Sequence, residues 1–345
     1  MMLRQLILPL TLGLSLACSS QEEDSQPKIY GGTLADGSGH ELGYGSTFSL
    51  LAMNKGELMS GCTGSALTDR ILITAKHCID SYLVPPVGIG FGTEPLETFK
   101  DKKVTIEAIA IPFEDEKDSY HDFAVIITKE SISGIIPWFK PIAVGSPLSE
   151  AFKSQSFVQL GYGYSDGEVY DSKLRTLSGY AKFHAMDDRS SLGTFLTSGN
   201  INEQKDTAPG DSGGPLISSD DKKLHGVLQG STTLYDSENG ESFHGRYSHP
   251  AYYLGWINDT LSRSGYYLSL DTTAAEGLEN TFSQESSFFK PEDLFNENNR
   301  QCQHLNGDGY QVIEDYGCWP VVGEACSESW MRWDVESGAC RYADE

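Results

Sequence analysis

The chain has 345 residues, 39% of them hydrophobic, with 36 glycines and a formal charge of −24 from 49 acidic and 25 basic side chains. That length allows about two domains, and the apolar fraction with so many glycines suits a strand-rich globule with many turns. The acidic excess argues against nucleic acid as a partner and favours attraction to basic polypeptides.

Residues 1–17 carry Arg4, an apolar run from Leu6 to Leu16 and a small-residue end. This is the pattern of a signal peptide, too short to span a bilayer as a mature helix. Ser15-Leu16-Ala17-Cys18 resembles a bacterial lipobox, with Ser15 where Leu is usual. Of seven cysteines, Cys18 is the odd one, and lipid attachment there leaves six to pair. Plain cleavage near Ala17, with Cys18 free or trimmed, is the alternative. The expected location is outside the cytoplasm in an oxidising compartment, secreted or held at the surface or outer membrane of a bacterium as a lipoprotein.

Downstream, Phe48 to Ala52, Ile71 to Thr74, Ala124 to Thr128, Phe157 to Gly161 and Gly226 to Leu228 are short apolar runs bounded by turn residues. They read as antiparallel barrel strands and not as crossover helices. The best helix runs from Ala251 to Ser262. From about Ser264 the character changes, and residues 266–345 hold 16 acidic and 4 basic side chains, half of the total charge excess. Residues 266–299, with few aliphatics, read as an acidic linker or loosely packed surface. Residues 300–345 carry Cys302, Cys318, Cys326 and Cys340 with Trp319, Trp330 and Trp333, and read as a small module held by two disulfides whose pairing stays open. Zinc is disfavoured because no C-x-x-C spacing occurs. Asn306-Gly307-Asp308-Gly309 reads as a turn, with a weak calcium site as the alternative. No cofactor and no metal is expected.

Three strings carry the chemistry: Thr74-Ala75-Lys76-His77-Cys78, His121-Asp122-Phe123-Ala124-Val125 and Gly210-Asp211-Ser212-Gly213-Gly214-Pro215. A serine hydroxyl is a poor nucleophile at neutral pH and needs a base to take its proton. Histidine suits that task, and a carboxylate behind it sets the tautomer and stabilises the imidazolium. The expected roles are Ser212 nucleophile, His77 base then acid, and Asp122 orienter. Developing charge on a carbonyl oxygen needs preorganised donors, and the Gly-rich turn offers the N–H groups of Gly210 and Ser212 as an oxyanion hole.

These strings resemble the trypsin/chymotrypsin family of serine endopeptidases over roughly Ile29 to Tyr266. Lys76 replaces an alanine of the family's Thr-Ala-Ala-His-Cys, while the nucleophile string is unchanged. The resemblance implies an all-β fold of two antiparallel six-stranded barrels with a C-terminal helix, the triad lying in the cleft between them. Gly161-Tyr162-Gly163 takes the place of the family's Gly-Trp-Gly, and Trp256 that of the Trp opening its last helix. It also implies a disulfide between Cys62 and Cys78, beside the histidine.

In the family, the position six before the nucleophile forms the floor of the primary pocket. Here it is Asp206, followed by Thr207, and a carboxylate there favours Lys or Arg in the substrate. Gly245 matches the glycine of the opposite wall, where a missing side chain leaves room for a long substituent. Gly230 lies in Leu228-Gln229-Gly230-Ser231, which replaces the family's Ser-Trp-Gly strand and lacks its aromatic wall. Lys28-Ile29-Tyr30-Gly31-Gly32 resembles the activation site, so cutting after Lys28 would free an α-ammonium on Ile29 to pair with Asp211. Residues 18–28 are then a propeptide or anchor segment and 29–265 the protease domain. The expected activity is a zymogen-derived endopeptidase acting on polypeptides after Lys or Arg, with membrane anchoring through Cys18 before activation. A catalytically silent surface binding protein on the same scaffold is the alternative.

Overall fold

Strands that are apolar at every position must bury both faces, and this chain uses them to serve two cores at once. The computed structural model describes residues 32–37, 41–54, 57–79, 86–112, 121–154, 156–164, 171–187, 192–198, 207–236, 240–283 and 286–290, together with the backbone of four short strands between 310 and 342.

The first sheet is built from β2 (Thr47–Asn54), β3 (Glu57–Ala66), β4 (Ile71–Thr74), β5 (Pro86–Phe91), β6 (Ile106–Pro112) and β7 (Ala124–Thr128), after a two-residue strand β1 (Thr33–Leu34) that belongs elsewhere. Its order is β5-β2-β3-β4-β7-β6. Leu72, Ala124 and Ile126 point into this barrel with Phe48, Leu50, Ile89 and Phe91. The alternating residues Ile71, Ile73, Val125 and Ile127 point the other way, into a core shared with the second half of the chain.

The second sheet comprises β8 (Ser156–Gly161), β9 (Arg175–Met186), β10 (Thr194–Ser198), β11 (Pro215–Ser218), β12 (Leu224–Asp236) and β13 (Gly240–Ser248). Order β9-β10-β13-β12-β11-β8 closes because β8 pairs back onto β9, and β1 adds outside β9. Phe157, Phe195, Leu216, Leu228 and Tyr247 fill its interior. Val158, Leu160 and Ile217 join the shared core. The expected six-stranded closure therefore holds for the second barrel. Among the described residues the first closes through a single bridge, Ile89 to Val104 (N to O 3.1 Å).

Helices are few: α1 (Pro95–Asp101) with proline in its first turn, α2 (Glu150–Lys153) capped by the Ser149 hydroxyl, and α3 (Leu254–Arg263) after a 3-10 turn over Pro250–Tyr253. On α3, Leu254, Trp256, Ile257 and Leu261 form one apolar stripe that packs into the shared core.

The reading of residues 266–299 as a linker does not hold for their described part. Leu270 exchanges two hydrogen bonds with Asn258 (2.7 and 3.0 Å). Phe282 is 4% exposed, and β14 (Ser286–Phe289) pairs antiparallel with β6 as a seventh strand of the first sheet. Polar composition concealed three aromatic anchors, Phe282, Phe288 and Phe289, which meet the two cores. Further on, β15 (Tyr310–Ile313) pairs with β16 (Gly317–Pro320) and β17 (Met331–Asp334) with β18 (Ala339–Tyr342). Cys318 and Cys340 lie in these hairpins, and the pairing of the four late cysteines lies outside the described residues, as do residues 1–31.

A directed polar chain enters the second barrel. The Ala251 N–H donates to His249 Nδ1 (3.3 Å), so the His249 proton sits on Nε2, which meets His225 Nδ1 at 3.3 Å. His225 Nε2–H then donates to the Asp221 carboxylate (3.0 Å). Burial pushes the His249 imidazole well below its ordinary pKa, and the neighbouring His225 adds to this. Burial also lowers His225, against an upward pull from Asp221. Folding therefore favours the neutral form of both rings, whereas unfolded imidazoles take up protons below about pH 6.5. Stability is retained above that pH and lost as pH falls toward the depressed folded-state values. Urea midpoints at pH 7.5 and 5.5 should drop more for the native chain than for His249→Gln, and equal drops would remove His249 as the cause.

Candidate active site

Antiparallel pairing explains how the first two site residues meet. Thr74 lies opposite Ala124 in the β4–β7 ladder, so His77, just past the end of β4, and Asp122, just before β7, leave the sheet at the same edge. A 3-10 turn over Lys76–Cys78 then rolls the His77 side chain back toward the acid. The His77 backbone N–H donates to Asp122 Oδ1 (3.0 Å), and Nδ1 lies 2.7 Å from Oδ2. A carboxylate oxygen accepts, so Nδ1 carries the proton and Nε2 is left with its lone pair. Asp122 is 2% exposed while the imidazole remains part open to solvent. Such a ring can accept a proton from outside while its far side is held from within.

The nucleophile string forms a tight loop entering β11. Gly210 (φ +97°) and Gly213 (φ +79°) adopt left-handed backbone that favours glycine. A Cβ on Gly213 would also collide with Thr74 Oγ1 and the Thr63 carbonyl. Among the described residues, neither the Gly210 nor the Ser212 N–H donates to any acceptor, which leaves both available to a ligand oxygen. Asp211 is buried, its Oδ1 accepting from Gly163 N (2.8 Å) and its Oδ2 from Ala208 N (2.8 Å). Side chains at Gly161 or Gly163 would overlap that carboxylate.

Thr63, on β3 of the first barrel, joins this loop to the histidine half. Its N–H donates to the Ser212 carbonyl (2.8 Å), and its Oγ1 donates to the Gly210 carbonyl (2.9 Å) and accepts from Tyr162 N (3.0 Å). Its own carbonyl accepts from Thr74 Oγ1 (2.7 Å). Beside it the Cys62–Cys78 disulfide forms as expected, with Cα atoms 6.0 Å apart, and the Cys78 sulfur lies 3.6 Å from the Ser212 carbonyl oxygen. The histidine turn and the serine loop are thus in contact. Cys62, His77 and Cys78 converge closely enough to suggest a metal, but the two sulfurs are bonded to each other.

A model of the trypsin family matches residues 39–257. The chain belongs to the trypsin family. It is 27% identical over 271 residues to chymase of Canis lupus familiaris, covering 74% of this chain and 98% of that protein. It is 26% identical to CLIP domain-containing serine protease C9 of Anopheles gambiae and 24% identical to phenoloxidase-activating factor 1 of Holotrichia diomphalia, spanning about three fifths of each. The solved structure of mouse neuropsin, a serine protease, aligns with TM-score 0.50 at 20% identity over 67% of this chain and 99% of its own, a likeness of fold. By family, the trypsin-family chain is a serine endopeptidase.

The other expected site residues divide by location. Asp206, Lys28, Ile29 and Cys18 lie outside the described residues. Thr207 is half-buried at the start of the nucleophile loop. Among the described residues, none lies within 4 Å of a Cβ built on Gly230. At Gly245 an added Cβ would meet the Tyr247 ring at 2.8 Å and Thr197 Oγ1 at 3.0 Å, so the position is held as glycine by its packing. Gln229, where the family carries an aromatic wall, is turned inward and donates to Ser248 Oγ (2.6 Å).

Thr63 was missed by sequence reasoning, although it follows Cys62, because a threonine amid a strand carries no local sign of a cross-barrel role. Thr63→Val keeps the shape but strips the Gly210 carbonyl and Tyr162 N–H of their partner, at a cost of about 1–3 kcal/mol. A urea titration should show that loss together with slower serine-directed labelling of Ser212, and an unchanged variant in both would remove this role.

Proposed function

We propose that the chain is an exported endopeptidase that hydrolyses peptide bonds after Lys or Arg, with Ser212 as nucleophile, His77 as general base and then acid, and Asp122 as orienter. The observation that carries this is the 2.7 Å contact between His77 Nδ1 and Asp122 Oδ2, on a turn whose next residue touches the Ser212 carbonyl. In the proposed reaction, His77 Nε2 takes the Ser212 hydroxyl proton as Oγ attacks the substrate carbonyl. The imidazolium so formed is stabilised by Asp122, and its proton passes to the leaving amine. The Gly210 and Ser212 N–H groups receive the negative oxygen. Water then repeats the attack on the acyl group, with His77 again the base.

Preference for Lys or Arg rests on Asp206, placed six residues before Ser212, since a pocket carboxylate without a cationic partner is costly. Activation rests on Lys28-Ile29. The freed Ile29 ammonium would approach Asp211, whose carboxylate is buried under the nucleophile loop, and so tighten that loop only after cleavage. As Lys28 suits the same pocket, the enzyme could cut its own precursor, and a lipid anchor on Cys18 would be severed in that step.

Protein cut after Lys28 should turn over Lys- and Arg-ester reporters at least about a thousandfold faster than Ser212→Ala, and equal rates would end the proposal. Activity should fall on the acid side as His77 takes up a proton. In Asp206→Ser the preference for basic substrates should vanish while slow cleavage of others persists. N-terminal sequencing of active protein should start at Ile29, and full activity from another start would dispose of the Asp211 switch.

A further inference from the structure

Both hydrogen bonds that the Asp122 carboxylate accepts among the described residues come from His77 itself. Nothing else there grips its oxygens, so its direction is set by the backbone and by its chain neighbours, His121 and Phe123. Both are packed on one side chain. The Phe123 ring stacks on Tyr253 at 4.2 Å with 5° between planes, and His121 Nδ1 is 3.0 Å from the Tyr253 hydroxyl. That hydroxyl donates to the Leu192 carbonyl (3.3 Å), so it accepts from the His121 ring.

Phe282 closes the assembly. Its ring centroid lies 4.3 Å from His121, 5.3 Å from Tyr253 and 5.5 Å from Trp256, and its N–H donates to the Tyr252 carbonyl (2.9 Å). It lies beyond residue 257, where the family match ends. The chain around it is tied on both sides, by Asn258 with Leu270 before it and by Thr260 Oγ1 with Ser286 Oγ (3.1 Å) after it. From there β14 joins β6, and β6 is the partner of β7, the strand that Asp122 opens.

We propose that the segment after α3 is a clasp for the acid of the catalytic pair, with Phe282 a positioning residue that holds Asp122 against His77 through His121 and Tyr253. The proposal rests on the reading of Asp122 as orienter. His121 is packed between the Tyr253 and Phe282 rings, at 6.0 and 4.3 Å between centroids. With Phe282 removed, His121 gains room and Asp122 moves with it. Misplacement of a catalytic group by around 1 Å costs up to about a hundredfold in rate.

The test uses full-length protein with Phe282→Ala, and Tyr253→Phe as a milder change that removes a single hydroxyl. Because a well-placed carboxylate raises an imidazole pKa, the His77 ring, followed by NMR in a Ser212→Ala background, should titrate at lower pH in both variants. Lys76 beside His77 and Asp122 opposite it are unaltered, so a shift reports geometry. In the active chain, kcat should fall about ten- to hundredfold with KM unchanged, its acid limb moving to lower pH. Phe282→Leu, which refills most of the volume, should recover most of the rate. An unmoved His77 titration in a folded variant overturns the clasp, and Tyr253→Phe supplies that reading should Phe282→Ala fail to fold. Absence of Ser212-dependent turnover in the native chain would instead defeat the proposed reaction, while the titration still decides on the clasp.

Discussion

The chemistry of this chain is divided between two barrels, so everything depends on how firmly one is held to the other at the point where histidine and serine meet. Thr63 provides that hold. Four hydrogen bonds converge on one residue, reaching Ser212, Gly210, Tyr162 and Thr74. The Ser212 carbonyl that it binds also touches the disulfide next to His77. Since buried carbonyl and amide groups must be paired, the loop has little freedom to slide relative to the histidine turn. The glycines at 210 and 213 make this close approach sterically feasible.

Two kinds of constraint act on the site. The serine loop is positioned by hydrogen bonds, from Thr63 outside and through the Asp211 carboxylate inside, and bonds of this kind dictate direction as well as distance. The acid is positioned mainly by packing, through rings that flank it in sequence and in space. Packing resists displacement in every direction but specifies orientation only when several surfaces meet, which is what His121, Phe123, Tyr253 and Phe282 achieve together. The pH-sensitive His249–His225 pair belongs to neither set, lying with Phe152 and Phe195 in the second barrel.

Legibility in the sequence followed the range of the underlying physics. His77, Asp122 and Ser212 stand in short strings whose geometry is local: a strand end, a turn, a glycine loop. The barrel strands were readable because an apolar run between turn residues says much about itself, whereas the Cys62–Cys78 pairing came only with the family resemblance. Thr63 was not readable, since its value comes from Gly210 and Tyr162, which are far away in the chain. Phe282 was hidden by the serines, threonines and acids around it, which have the composition of a linker. Why position 245 is glycine was not readable either, since the Tyr247 ring and Thr197 Oγ1 that an added Cβ would meet are brought there by the packed strands.

The seventh strand of the first sheet has a consequence for biosynthesis. β6 is made early, but its outer neighbour β14 is residues 286–289, so a chain emerging from its N-terminus cannot complete that sheet until nearly all of it has been synthesised. Non-local pairing of this sort delays folding. The edge of the nascent first barrel stays open meanwhile, the outward N–H and C=O groups of β6 waiting for the residues that arrive last.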